Sequence, residues 1–228
     1  MSSNVDDLLH GELPGHEGVM KDILDAFAVR EENEGEFRFC GKEVKQDDEY
    51  NITVTTKDNT EKIRPIEIAN GRKLTQKNTA DETTALRSVT ASLAWVARQT
   101  RPGLSFRVSK LQCIAGNGCV KDLKQANKVL EYALETSTQG LYFKAGVVDW
   151  ETAVVVTCCD ASLGNEDEIV KGIAEGGRSQ QGFVIGLSPP DILNATDTSF
   201  HPIGWASTVI KRVCRASLHA ETMALLKE

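Results

Sequence analysis

Three groups of residues in this chain have the types and spacing to act on phosphodiesters. Asp6 and Asp7 stand side by side between Val5 and Leu8-Leu9, so two carboxylates share an apolar setting. Adjacent carboxylates repel one another and resist ionisation when buried, unless cations neutralise them. On a tight apolar hairpin such a pair suits two magnesium ions about 3.5 to 4 Å apart, one activating a hydroxyl and one clamping phosphates. The same two residues also suit an exposed acidic turn or a helix start. Asp160 closes the apolar run from Ala153 to Cys159, where a carboxylate needs a partner or a metal. Glu221 follows Leu218 by three residues and precedes Leu225 by four, which predicts the core-facing side of a helix. A strand-end aspartate meeting an inward helical glutamate is one way to hold magnesium for attack of water on a phosphodiester. The alternative has Asp160 capping a turn with Ser162, and Glu221 in solvent beside His219. Finally, Lys121, Lys124 and Lys128 fall at i, i+3 and i+7, one positive stripe on a predicted helix. With Arg107 they match a phosphate backbone, although three lysines in a row also make an ordinary solvated face.

The elements that must position these groups follow from hydrophobic period. Ile23, Leu24 and Phe27 predict a short helix over 22–29. Phe37 to Val44 and Tyr50 to Thr56 alternate apolar and polar residues around Gln46-Asp47-Asp48-Glu49, which reads as a hairpin. Residues 57–82 are polar and weakly patterned, the best linker candidate. From Thr84 the period becomes helical, with Leu86, Val89, Leu93 and Val96 on one face, and the pattern halts at Arg101-Pro102. A second helix starts near Pro102 with Leu104, Val108 and Leu111 inward; a third runs over 120–136 with Val120, Leu123, Leu130 and Leu134 inward. Beyond it come strands at 141–143, at 153–159, whose unbroken apolar run predicts burial on both faces, at 179–187 and at 203–209. A helical pattern over 216–227 follows.

The 228 residues carry 26 bases against 33 acids, a net charge of −7 that does not suit a dedicated nucleic-acid binder. The charge is uneven, however. The first 50 residues hold 14 of the acids and 5 of the bases, whereas residues 87–128 hold eight bases and one acid, Asp122. Six cysteines lack CxxC and zinc-finger spacing, so reduced thiols are expected. No basic head precedes an apolar stretch at the amino end, and no apolar run approaches about 18 residues. The expectation is a protein that is neither secreted nor membrane-spanning and stays inside the cell, its compartment undefined.

In order along the chain, these segments resemble the Pol polyprotein of copia-type LTR retrotransposons. Asn4-Val5-Asp6-Asp7-Leu8-Leu9 is similar to the reverse transcriptase signature of an aromatic residue, any residue and two aspartates. Phe37-Arg38-Phe39-Cys40-Gly41-Lys42-Glu43-Val44 resembles the segment that follows it. Arg87-Ser88-Val89 through Trp95, and then Thr100-Arg101-Pro102-Gly103-Leu104-Ser105-Phe106-Arg107-Val108-Ser109, resemble the block that carries the family's Thr-Arg-Pro. Lys124 to Tyr132 looks like the connection helix. Cys159-Asp160-Ala161-Ser162, Arg178 to Val184, Ile203 to Ser207 and Ser217 to Leu225 resemble the RNase H portion.

The resemblance implies an α+β chain in three parts: a reverse transcriptase palm remnant with its hairpin over 1–70, a helical thumb and connection over 71–145, and the N-terminal half of an RNase H-like α/β domain over 146–228, with three antiparallel strands and a helix. It implies a parent that synthesises DNA on RNA and hydrolyses RNA in an RNA:DNA hybrid, with Asp6, Asp7, Asp160 and Glu221 as catalytic magnesium ligands and Arg107, Lys121, Lys124 and Lys128 on nucleic acid. The departures carry expectations too. Asn4 stands where an aromatic residue is usual, fingers and most of the palm fall outside the chain, and the RNase H pattern stops one helix in. Each active site is therefore expected in part only, and the chain alone to be inactive. The partners expected are RNA, DNA or their hybrid, with self-association or a complementing fragment, and no membrane. The alternative is an inactive relict or a recruited module that binds nucleic acid or protein.

Overall fold

A computed structural model describes residues 2–4, 7–11, 17–26, 32–163, 179–194, 197–212, 214 and 216–226. The chain is mixed α and β, with a four-stranded and a three-stranded antiparallel sheet as its main sheets and a helical layer inserted in sequence before the last strand of the first. At the amino end β1 (Ser2–Asn4) and β2 (Asp7–Leu9) pair antiparallel, and α1 (Glu17–Ala26) follows. The helix expected over 22–29 thus starts five residues earlier; its expected end lies outside the described residues.

The alternation read as one strand from Phe37 to Val44 is instead a hairpin of its own. β3 (Glu36–Phe39) and β4 (Lys42–Gln46) pair with Phe37 opposite Val44, and the chain reverses at Cys40-Gly41. Both residues have positive φ, 50° and 75°, as a two-residue turn matched to strand twist requires. A non-glycine residue in the first of these positions hid the turn from a composition-based reading. β5 (Ile52–Thr55) then pairs with β4 across a loop organised by Asp47. Its carboxylate accepts from the backbone N–H groups of Glu49 (3.0 Å) and Asn51 (2.8 Å) and from the Asn51 amide (2.9 Å). The Asn51 hydrogen bonds hold the Asp47 carboxyl below its ordinary range.

The stretch expected to be a linker is packed. α2 (Lys57–Glu61) leads into an irregular strap whose Ile66 is buried in the main core. The Asn127 side chain pairs with the strap as a neighbouring strand would: Oδ1 accepts from the Ile66 N–H and Nδ2 donates to the Ile66 carbonyl, both at 2.8 Å. Side-chain amides satisfying irregular backbone leave no periodic signal, which is why the strap reads as a loop. At its end Thr79 and Glu82 form a capping box, each side chain accepting the other's backbone N–H. There α3 (Ala80–Gln99) begins.

The three main helices bury the faces their period assigns. Leu86, Val89, Leu93 and Val96 of α3, Leu104 with Val108 and Leu111 of α4 (Ser105–Ile114), and Leu123, Ala126, Val129 and Leu130 of α5 (Val120–Glu135) form one core. Pro102 starts a single 3₁₀ turn before α4. After α5 the chain returns to the first sheet, where β6 (Leu141–Phe143) pairs with β5. Gly140 permits the approach, since any Cβ there would run into the Val54 carbonyl oxygen.

The second sheet has the order β7 (Val154–Ser162), β8 (Gln180–Ser188), β9 (His201–Val209), followed by α6 (Ser217–Leu225). Strand alternation divides it into two faces. Gln180 and Ser207 lie on one, where Gln180 Nε2 donates to Ser207 Oγ (2.8 Å) and to Ser109 Oγ of α4 (3.2 Å); Trp205, on the same face, donates its indole N–H to the Ala97 carbonyl of α3 (2.8 Å). On the other face Ala161 packs against the cluster of Ile210, Cys214 and Ala220 at α6. The sheet is thus sandwiched between the α3/α4 layer and α6. β7 is not buried on both faces as its apolar run predicts: among the described residues it lies at the sheet's edge, and Val155 is 68 % exposed. Among the described residues no helix is long and apolar enough to cross a membrane.

Candidate functional site

The acidic candidates among the described residues lie on three separate elements. Asp7 opens β2 opposite Asn4, and Asp6 lies outside the described residues. Asp160 is exposed and sits within β7, opposite Gly182. Its pleat position places its Cβ on the face shared with Gly182, Gln180 and Ser207, which looks toward α3 and α4. Glu221 is carried by α6, which covers the opposite face. Leu218 and Leu225, whose spacing predicts the inward side of that helix, are 78 % and 59 % exposed; the buried residues are Ala220 and Ala224. Small residues make the close contact because α6 lies tight against the sheet, so the bulkiest apolar positions misreport the inner face. Asp160 and Glu221 are thus carried by β7 and by the helix packed against that sheet. Among the described residues no group of three or more His, Cys, Asp or Glu side chains is gathered to hold a metal ion.

The basic candidates are brought together. Lys121, Lys124 and Lys128 are all exposed on α5, on the side away from Leu123, Ala126 and Leu130. One turn beyond Lys128 the same side presents Tyr132. Arg107, exposed on α4, lays its guanidinium over that ring with Cζ 4.6 Å from the centroid, so the stripe continues across the α4–α5 seam. On α4, Lys110 lies one turn from Arg107 and holds its Nζ 4.9 Å from the Phe106 ring centroid. Phe106 and Tyr132 are 47 % and 37 % exposed. The row spans roughly 16 Å from Lys121 to Tyr132 at helical rise. Glu131 and Glu135, exposed near the end of α5, bound it.

Tyr132, and Phe106 beside Lys110 on α4, are aromatic residues of these two helices that charge counting alone does not find. The available signal is spacing: Tyr132 stands four residues after Lys128, and Phe106 four residues before Lys110. The Arg107–Tyr132 contact joins two helices and has no sequence signature.

The seam is rigidly supported. Buried Arg101 donates from Nη1 to the Thr136 carbonyl (2.7 Å) and from Nη2 to Thr136 Oγ1 (2.6 Å), closing the end of α5 against the start of α4. Comparisons with protein-family models, with curated proteins and with solved structures found no match to this chain.

Proposed function

We propose that the chain is a nucleic-acid-binding piece of a copia-type LTR retrotransposon Pol polyprotein, spanning the later part of reverse transcriptase and the first half of RNase H. The observation that carries this reading is the exposed row of Lys121, Lys124, Lys128 and Arg107 on a braced two-helix seam, within a chain whose net charge is acidic. A local cation row in an acidic protein confines a polyanion to one surface. The ordered sequence blocks support the family, and the parent polyprotein would carry DNA synthesis on RNA and hybrid hydrolysis. For this chain the activity proposed is binding, which the exposed cation row supports.

The test is binding of a short RNA:DNA hybrid as a function of salt. Each phosphate contact contributes about 0.9 to the slope of log affinity against log salt. Replacing Lys121, Lys124 and Lys128 by Glu is expected to abolish binding at 50 mM salt, and replacing them by Gln to lower the slope by about 2 to 3. Absence of any hybrid binding at low salt, or binding unchanged in the triple variants, overturns the reading.

A further inference from the structure

We infer that the α4–α5 seam is a stacking platform for single-stranded nucleic acid, resting on the binding reading above and naming the form of nucleic acid that this surface selects. Two cation–aromatic pairs accompany the lysine row: Arg107 over Tyr132, which continues it, and Lys110 over Phe106, one turn along α4 from Arg107. Exposed aromatic rings contribute little to a duplex, whose bases are stacked on each other and whose outer surface is phosphate. They bind strongly to bases already splayed out, by stacking. A guanidinium resting on Tyr132 is planar, and its outer side is a second surface on which a base can lie. The arrangement therefore offers one face at Arg107–Tyr132 and another at Phe106, with Lys121, Lys124 and Lys128 leading the backbone to them.

The chemistry points away from the other occupants of a basic surface. An acidic peptide is served by the cations alone and leaves the two rings without a role. A duplex uses the lysines and leaves the rings idle as well. Stacking reads neither base identity nor sugar, since every base has a π-face. The occupant is thus a single strand of either sugar, without marked sequence preference. At roughly 16 Å from Lys121 to Tyr132, the row covers only a few nucleotides.

The experiment uses the whole chain and fluorescein-labelled 12-nucleotide probes: oligo-U, oligo-dT and a mixed-sequence RNA:DNA duplex of equal length. Oligo-U and oligo-dT are expected to bind within about threefold of each other and about tenfold more tightly than the duplex. Tyr132→Leu and Phe106→Leu keep apolar volume and remove the π-face; each is expected to weaken single-strand binding about tenfold with an unchanged salt slope. Arg107→Lys, which keeps the charge and loses the plane, is expected to give a similar loss. Wild-type affinity in all three variants, or tighter binding of the duplex, overturns the platform while leaving the lysine-based reading intact. Failure of the wild-type chain to bind any probe at low salt overturns both.

Discussion

Thr100 and Arg101 each use the side chain that a buried corner demands. Arg101 satisfies the carbonyl that ends α5, and Thr100 Oγ1 meets Thr56 Oγ1 at 2.8 Å, both threonines fully buried. A hydroxyl pair of this kind contributes little net free energy, but orphaning one member is costly. Thr100→Val is therefore expected to lower unfolding free energy by about 1 to 3 kcal/mol, whereas the double variant Thr56→Val, Thr100→Val should recover most of the loss. Urea denaturation of the two single variants and the double variant measures this coupling; strictly additive losses would show that the hydroxyls do not depend on one another. Seen this way, the Thr-Arg-Pro segment is a structural joint: one residue anchors the strap's approach, the next closes α5, and Pro102 opens the turn into α4.

At the scale of elements, the junction between the two sheets has a titratable group. His201 of β9 accepts the Lys144 N–H at Nε2 (3.2 Å), and its ring meets Phe143 of β6 edge-on at 5.6 Å. Burial holds the His201 imidazole below its ordinary value. The unfolded chain therefore binds a proton more readily than the folded one, so the stabilisation is complete above about pH 6.5 and is lost as pH falls through the folded value. The expected loss between pH 8 and pH 5 is at most about 1 kcal/mol for one partly screened hydrogen bond. It should be absent from His201→Phe and so appear as the difference between the two proteins, measured as denaturation midpoints across that range; an identical pH dependence in the two would rule His201 out.

The helices α3, α4 and α5 were legible because each buries one continuous apolar stripe, and β7, β8 and β9 because turn-rich segments bracket them. The Cys40-Gly41 reversal was not, since alternation runs straight through it. Nor was the strap of residues 62–79, held by Asn127, or the inner face of α6, where alanine rather than leucine makes the contact. Of the candidate sites, the lysine row was readable from spacing on one helix, while its aromatic continuation depends on α4 and α5 meeting. Asp160 and Glu221 were found as residue types, and strand pleat decides the face that Asp160 occupies.

For the molecule as a whole, β7 is an edge strand among the described residues with Val155 in solvent, and α6, packed against the same sheet, adds exposed Leu218 and Leu225. Unpaired strand edges with apolar side chains template pairing between chains. The chain is expected to self-associate with rising concentration, and Val155→Lys to shift that association to about tenfold higher concentration. Sedimentation velocity over a wide concentration range reads this out, and a wild-type chain that stays monomeric throughout would refute it. The hydrogen bond from Trp205 to the Ala97 carbonyl has a consequence in time, because its partners lie 108 residues apart in the chain. At ribosomal speeds of about 5 to 20 residues per second, the end of α3 is made roughly 5 to 20 s before the indole that caps it. During that interval the helical layer exists without the sheet that covers it, so a chaperone meeting the nascent chain encounters the same α3/α4 surface that the finished protein hides.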